Sequence, residues 1–148
     1  MIQDPVKAGW ASRKRRALLW CAFAAAWAGL PTAPAPATHG TPVPVLTIEP
    51  EYAKRLLDGG QQPIFVDLRP PADFVKGRLP GALSIPLSEL RRRYDDIPRT
   101  GQVILYCDCP IEELKAAFRF VAAEGYRNVS VLSEGFRGWA KRGYPVER

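Results

Sequence analysis

The chain has 148 residues and a formal net charge of +6, enough polypeptide for one hydrophobic core, since domains usually run to about 100–150 residues. The charge sits at the start: Lys7, Arg13, Lys14, Arg15 and Arg16 stand against Asp4 in residues 1–44, which leaves only +2 for 45–148. That near balance, with Arg91-Arg92-Arg93 reading as a solvated helix face, argues against a nucleic-acid footprint, and the single histidine, His39, argues against a histidine-built metal site.

In chain order, the basic stretch Arg13–Arg16 precedes an uncharged apolar run, Ala17–Leu30, and then small residues ending Ala35-Pro36-Ala37. A basic start, an apolar middle and a small-residue cleavage site make a secretory signal over 1–37. As a helix the run would span about 21 Å at 1.5 Å per residue, short of the roughly 30 Å hydrocarbon core. Cleavage after Ala37 and retention as a short amino-terminal anchor both remain open. Either way the positive charge stays inside and the domain crosses, which gives an exported, periplasmic address with membrane contact only through an uncleaved N-terminal segment. Arg15-Arg16 is a weak twin-arginine signal, and Cys21 reads as one more small apolar residue of the run. A Pro-rich linker, with Pro42 and Pro44 in its 38–44 portion, should be extended and carry no chemistry.

The globular part, 45–148, alternates strand and helix. Val45–Ile48 predicts a strand, and Glu49–Leu57 a helix with Tyr52, Leu56 and Leu57 on one face, stopped by Gly59-Gly60. Ile64–Leu68 is an apolar run of buried-strand length. Asp73–Val75 suggests a turn of helix, Ala82–Ile85 a brief strand, and Pro86 opens a helix through Leu87, Leu90 and Tyr94. Val103–Tyr106 is a strand of four large apolar residues; Leu114–Glu124 is a helix with Leu114, Ala117, Phe118, Val121 and Ala122 at helical spacing. Val129–Leu132 is a further strand and Phe136–Arg142 a last helix. Strands separated by helices imply a mostly parallel central sheet flanked by helices on both faces.

Such a sheet binds ligands beyond the carboxyl ends of its strands. The segment there is Cys107-Asp108-Cys109-Pro110-Ile111-Glu112-Glu113. Main-chain N–H groups of a tight loop can converge on the sulfur of Cys107, and the start of the following helix adds positive potential. Both favour thiolate over thiol. The bland alternative is a buried, inert thiol.

Asp67-Leu68-Arg69, Phe74, Gly77-Arg78-Leu79-Pro80-Gly81-Ala82, Ile85-Pro86, Tyr106-Cys107, Gly125-Tyr126, Asn128-Val129, Leu132, Glu134-Gly135, Trp139 and Gly143-Tyr144-Pro145-Val146 occur in the order and spacing of one family. From about Val45 to Glu147 the chain resembles a single rhodanese domain. The resemblance implies a rhodanese-like three-layer α/β sandwich and a sulfurtransferase with no cofactor and no metal. By it, Cys107 is the catalytic cysteine. It takes sulfane sulfur from a small donor, thiosulfate or a persulfide, or from a protein donor, and passes it to a thiol or cyanide. A thiolate attacks sulfur well and splits the transfer into two steps. Asp67 and Arg69 resemble the family's Asp-x-Arg and read as a buried network bracing the loop.

Three departures from the family pattern stand out, the first of them, at Arg78, structural and with little bearing on the chemistry. Arg78 replaces a histidine, Glu134 places a carboxylate near the site, and the loop is acidic where a Gly-, Arg- and Ser-rich one is usual, similar to a Cys-x-Cys-Pro-x-Glu variant. Pro110 removes one amide donor, and acids beside a thiolate raise its pKa and repel a dianion. Glu112 and Glu113 could instead complement the helix dipole from solvent. Cys109 is open among a disulfide with Cys107, a thiol that resolves a persulfide, and a small loop residue. Cysteine phosphatases of the same fold need an arginine six residues after the cysteine, where this chain has Glu113. A rhodanese-fold binding or redox-sensing module without turnover is the remaining alternative.

Overall fold

The structure is a computed structural model and describes residues 43–148. The predicted signal, Cys21, His39 and most of the Pro-rich linker lie outside the described residues. Five strands form one parallel sheet: β1 (Thr47–Ile48), β2 (Ile64–Asp67), β3 (Leu83–Ser84), β4 (Val103–Tyr106) and β5 (Val129–Leu132), in the order β1-β5-β4-β2-β3. The helices are α1 (Pro50–Asp58), α2 (Pro71–Phe74), α3 (Leu90–Arg93), α4 (Ile111–Ala123) and α5 (Gly135–Lys141), with a 3-10 turn at Tyr94–Asp96. No helix among the described residues is long and apolar enough to cross a membrane.

The apolar run of β4 follows from its place. It lies between β2, with Phe65 opposite Ile104 and Asp67 opposite Tyr106, and β5, with Leu105 opposite Val131. Covered on both faces, all four of its residues are buried. The pleat sends Val103, Leu105 and then Cys107 into one core with Leu114, Phe118 and Val121 of α4. Ile104 and Tyr106 go into a second core with Ala53 and Leu56 of α1 and Trp139 of α5. Phe65 and Trp139 meet edge-to-face at 5.8 Å there.

Three local expectations need correction. α1 buries Pro50, Ala53 and Leu56, whereas Tyr52 is exposed, because the inner stripe runs at three-residue spacing through 50, 53 and 56, with Leu57 beside it, and position 52 falls off that stripe. Pro86 opens a turn, not a helix: Ile85 N–H bonds Asp67 O at 3.0 Å and Leu87 N–H bonds Leu68 O at 2.9 Å, which holds the chain to the end of β2, and Glu89 N–H then closes on Pro86 O at 2.7 Å ahead of the helix at Leu90. α4 begins at Ile111, three residues before the apolar periodicity does, because its first turn, Ile111-Glu112-Glu113, is exposed and leaves no hydrophobic signature.

Candidate active site

β4 ends at Tyr106, and the chain turns through Cys107–Pro110 into α4. Cys107 is buried at the top of the α4-side core, 7% exposed, and accepts the main-chain N–H of Cys109 on Sγ at 3.0 Å. Among the described residues this is the one hydrogen bond made to the sulfur, fewer than the converging set of amides expected from the loop. The sulfurs of Cys107 and Cys109 are joined in a disulfide, the first of the three arrangements open to Cys109, with Cα atoms 5.2 Å apart. Both cysteines line a cleft of about 440 Å³ together with Arg69, Asp108, Phe136 and Arg137, and with Asp73, Lys76 and Gly77 from the β2–β3 connection.

The floor of this cleft is braced by buried charge. Asp67 is fully buried. Its Oδ1 accepts both the main-chain N–H and Nε–H of Arg69 at 2.9 Å. Its Oδ2 accepts Nη2–H of Arg69 at 2.5 Å and the Tyr106 hydroxyl at 2.6 Å. Arg69 also donates to the carbonyl of Gly77 at 2.7 Å and lies 3.9 Å from the centroid of the Phe136 ring. Burial opposes the charge on Arg69, but the hydrogen bonds and charge of Asp67 outweigh it and raise its pKa. Burial, followed by the charge of Asp67, pushes the Tyr106 hydroxyl up, so it remains a neutral donor.

Gly135 seats the start of α5 against the cysteine loop. Its φ is +58°, and a Cβ there would overlap the carbonyl of Cys107; only glycine allows α5 to start against the cysteine loop. Two residues on, Arg137 uses its main-chain N–H to hold Asp108 Oδ1 at 2.9 Å, while Asp108 Oδ2 lies 3.6 Å from Arg69 Nη1.

This geometry changes the expected electrostatics. Glu112 is exposed and pairs with Lys115 at 2.8 Å, a hydrogen bond that lowers its pKa. Glu113 faces a separate groove with Leu87, Leu90 and Phe120. Glu134 is gripped by Arg142 at 2.5 and 2.9 Å, which lowers its pKa, and it does not line the cleft. The expectation that Glu134 places a carboxylate near the site is therefore corrected, because the Arg142 ion pair draws that side chain off. Pro110 and Ile111 are both exposed, at the start of α4. The charged groups on the cleft are Arg69, Lys76 and Arg137 against Asp73 and Asp108, with Asp73 paired to Lys76 at 3.0 Å. Among the described residues no cluster of His, Cys, Asp or Glu is placed to hold a metal.

The family model of the rhodanese-like domain matches residues 49–142, which takes in all of the sheet except β1, together with every wall of the cleft. The chain belongs to the rhodanese-like domain family. A sulfurtransferase of Allochromatium vinosum is 29% identical over 99 residues, which is 67% of this chain and 92% of that protein. The crystal structure of a rhodanese-related protein from Thermoplasma volcanium superposes with a TM-score of 0.61 at 24% identity, over 69% of this chain and 97% of that one. A thiosulfate sulfurtransferase of Pseudomonas aeruginosa gives a TM-score of 0.58 at 23% identity, over 70% of this chain and 20% of that one. Family and relative together support a sulfurtransferase type of function.

In this rhodanese domain the loop residues and the Asp67–Arg69 pair were visible in sequence, but Lys76 and Arg137 were not. Arg137 stands two residues after the glycine that touches the cysteine loop, a position that could have pointed to it. Lys76 had no such signal, since it reaches the cleft only through the path of the β2–β3 connection. Arg78, where the family has histidine, lies outside the cleft lining: it packs on the Phe74 ring at 4.9 Å and pairs its main chain with Glu147.

Proposed function

We propose that this domain is a sulfurtransferase that carries sulfane sulfur on Cys107. The observation that supports this most directly is the position of Cys107 Sγ, at the carboxyl end of the central strand and on the wall of a cleft with Arg69, Lys76 and Arg137 around it. In the reduced protein the Cys107 thiolate attacks the outer sulfur of thiosulfate; the new S–S bond forms as the S–S bond of the donor breaks, and sulfite leaves with the electron pair. The resulting persulfide anion keeps the N–H of Cys109 as a hydrogen-bond donor and gains from the potential at the start of α4, a helix of thirteen residues. A thiolate or cyanide then attacks the outer sulfur and restores Cys107 as the leaving thiolate. Counting Asp67 beneath the floor, cations and acids balance at three each, and Lys76 and Arg137, both largely exposed, are the cations that can meet an anionic donor, whether a persulfide, thiosulfate or the persulfide of a partner protein.

The reading includes an exported location, supported by the basic, apolar and small-residue order of residues 13–37. Incubation of the reduced protein with thiosulfate and excess cyanide, with thiocyanate as the product measured, tests the function. The expected result is thiocyanate formation that Cys107→Ser abolishes; formation that survives this substitution would overturn the assignment.

A further inference from the structure

The transfer reaction uses one thiol, yet the loop holds two in a fixed relation. Cys109 is half-buried on the same cleft as Cys107, and their sulfurs are bonded. The loop that brings them together is braced at each step. The Cys107 carbonyl rests against Gly135. Asp108, between the cysteines, is held by Arg137 N–H at 2.9 Å and faces Arg69 at 3.6 Å. Pro110 closes the loop with φ fixed at −53° ahead of α4. Thiol–disulfide exchange requires the attacking sulfur to reach the sulfur under attack, and this loop supplies that approach without rearrangement of the fold.

We infer that Cys109 is the resolving thiol for a persulfide on Cys107, which makes the domain a sulfide-releasing persulfide reductase as well as a carrier; this rests on the carrier role proposed above. The Cys109 thiol attacks Cys107 Sγ, the inner sulfur of the persulfide. The Cys107–Cys109 bond forms, the bond from Cys107 Sγ to the outer sulfur breaks, and the outer sulfur leaves as hydrosulfide with the proton of Cys109. The sulfane sulfur gains two electrons, and the two cysteines together give them up as they become the disulfide. No outside oxidant is needed. A dithiol then reduces the disulfide by exchange, becoming a disulfide itself and restoring both thiols.

Resolution is intramolecular, whereas transfer depends on the acceptor concentration. With acceptor scarce, the sulfur is discharged as hydrosulfide and the site closes as a disulfide until a dithiol arrives. The loop thus senses both acceptor supply and reductant supply.

The test uses the full chain, reduced with a dithiol and freed of it under nitrogen, then incubated with thiosulfate and no acceptor. Hydrosulfide, free thiols and intact mass are followed, with glutathione persulfide as a second donor for the mass measurement. The wild type should release one hydrosulfide per chain, lose both thiols and retain no added sulfur. Cys109→Ser and Cys109→Ala should trap one added sulfur and release none. A wild type that holds the added sulfur as long as Cys109→Ser does would overturn the resolving role and leave the carrier role standing. Failure of both Cys109 variants to take up sulfur from either donor would overturn the carrier role, and the resolving role with it.

Discussion

Two arginines in this domain grip carboxylates in similar ways and do different work. Arg69 forks onto Asp67 beneath the cleft, with both side chains buried. Arg142 reaches Glu51 at 2.5 Å and Glu134 at 2.5 Å on the flank, where it ties α5 to α1 and keeps the Glu134 carboxylate off the cleft lining. The chemistry of the pairs is alike, so the difference lies in what happens when one partner is lost. A buried ion left alone has no water to turn to, whereas an exposed one has. The inner pair therefore sets the shape of the site and the outer one trims its charge.

The sharpest way to break this comparison is Asp67→Ala, which strands the Arg69 guanidinium and the Tyr106 hydroxyl. It should cost about 3 kcal/mol or more, read as a lower urea midpoint with an unchanged slope; a midpoint close to that of wild type would mean that Arg69 finds water. Tyr106→Phe should cost less, about 1–2 kcal/mol. It removes the donor to Asp67 at 2.6 Å and the acceptor of Leu79 N–H at 3.3 Å but leaves the ion pair intact.

Arg142→Gln should have the smallest effect and is best seen through pH. Hydrogen bonds from Arg142 hold the Glu51 and Glu134 carboxyls below the usual carboxylate range. The folded state thus binds fewer protons than the unfolded chain near those values. The stabilisation is complete above the usual range and is lost as pH falls through the depressed folded values. Denaturation midpoints on acidification should fall less steeply in Arg142→Gln than in wild type; parallel curves would show that the outer pair contributes nothing.

Much of this was legible in the residues. The alternation of strands and helices gave the parallel sheet, and the run Val103–Tyr106 marked its centre because a strand buried on both faces has no polar positions to spare. Cys107 was legible as the candidate nucleophile for the same reason, as the residue at which that run stops. The paths between elements were not legible. Whether Pro86 opened a helix was decided by main-chain bonds from Ile85 and Leu87 to the end of β2, partners distant in sequence. The electrostatics around the loop were legible only in part: solvent-facing positions were one of two readings for Glu112 and Glu113, and Glu134, distant in sequence from Cys107, was expected near the site, whereas Lys115, the groove at Leu90 and Arg142 are the neighbours these carboxylates meet.

The strand order has a consequence for how the chain is made. β1 emerges first from the ribosome, yet its neighbour in the sheet is β5, so it must wait through most of translation. A nascent chain halted after the cysteine loop can align β3, β2 and β4 only. It leaves one side of β4 bare, and Gly135 has not yet arrived to back the sulfur-bearing turn. Unpaired strand edges of this kind invite aggregation, so the reactive loop spends its earliest moments without that backing.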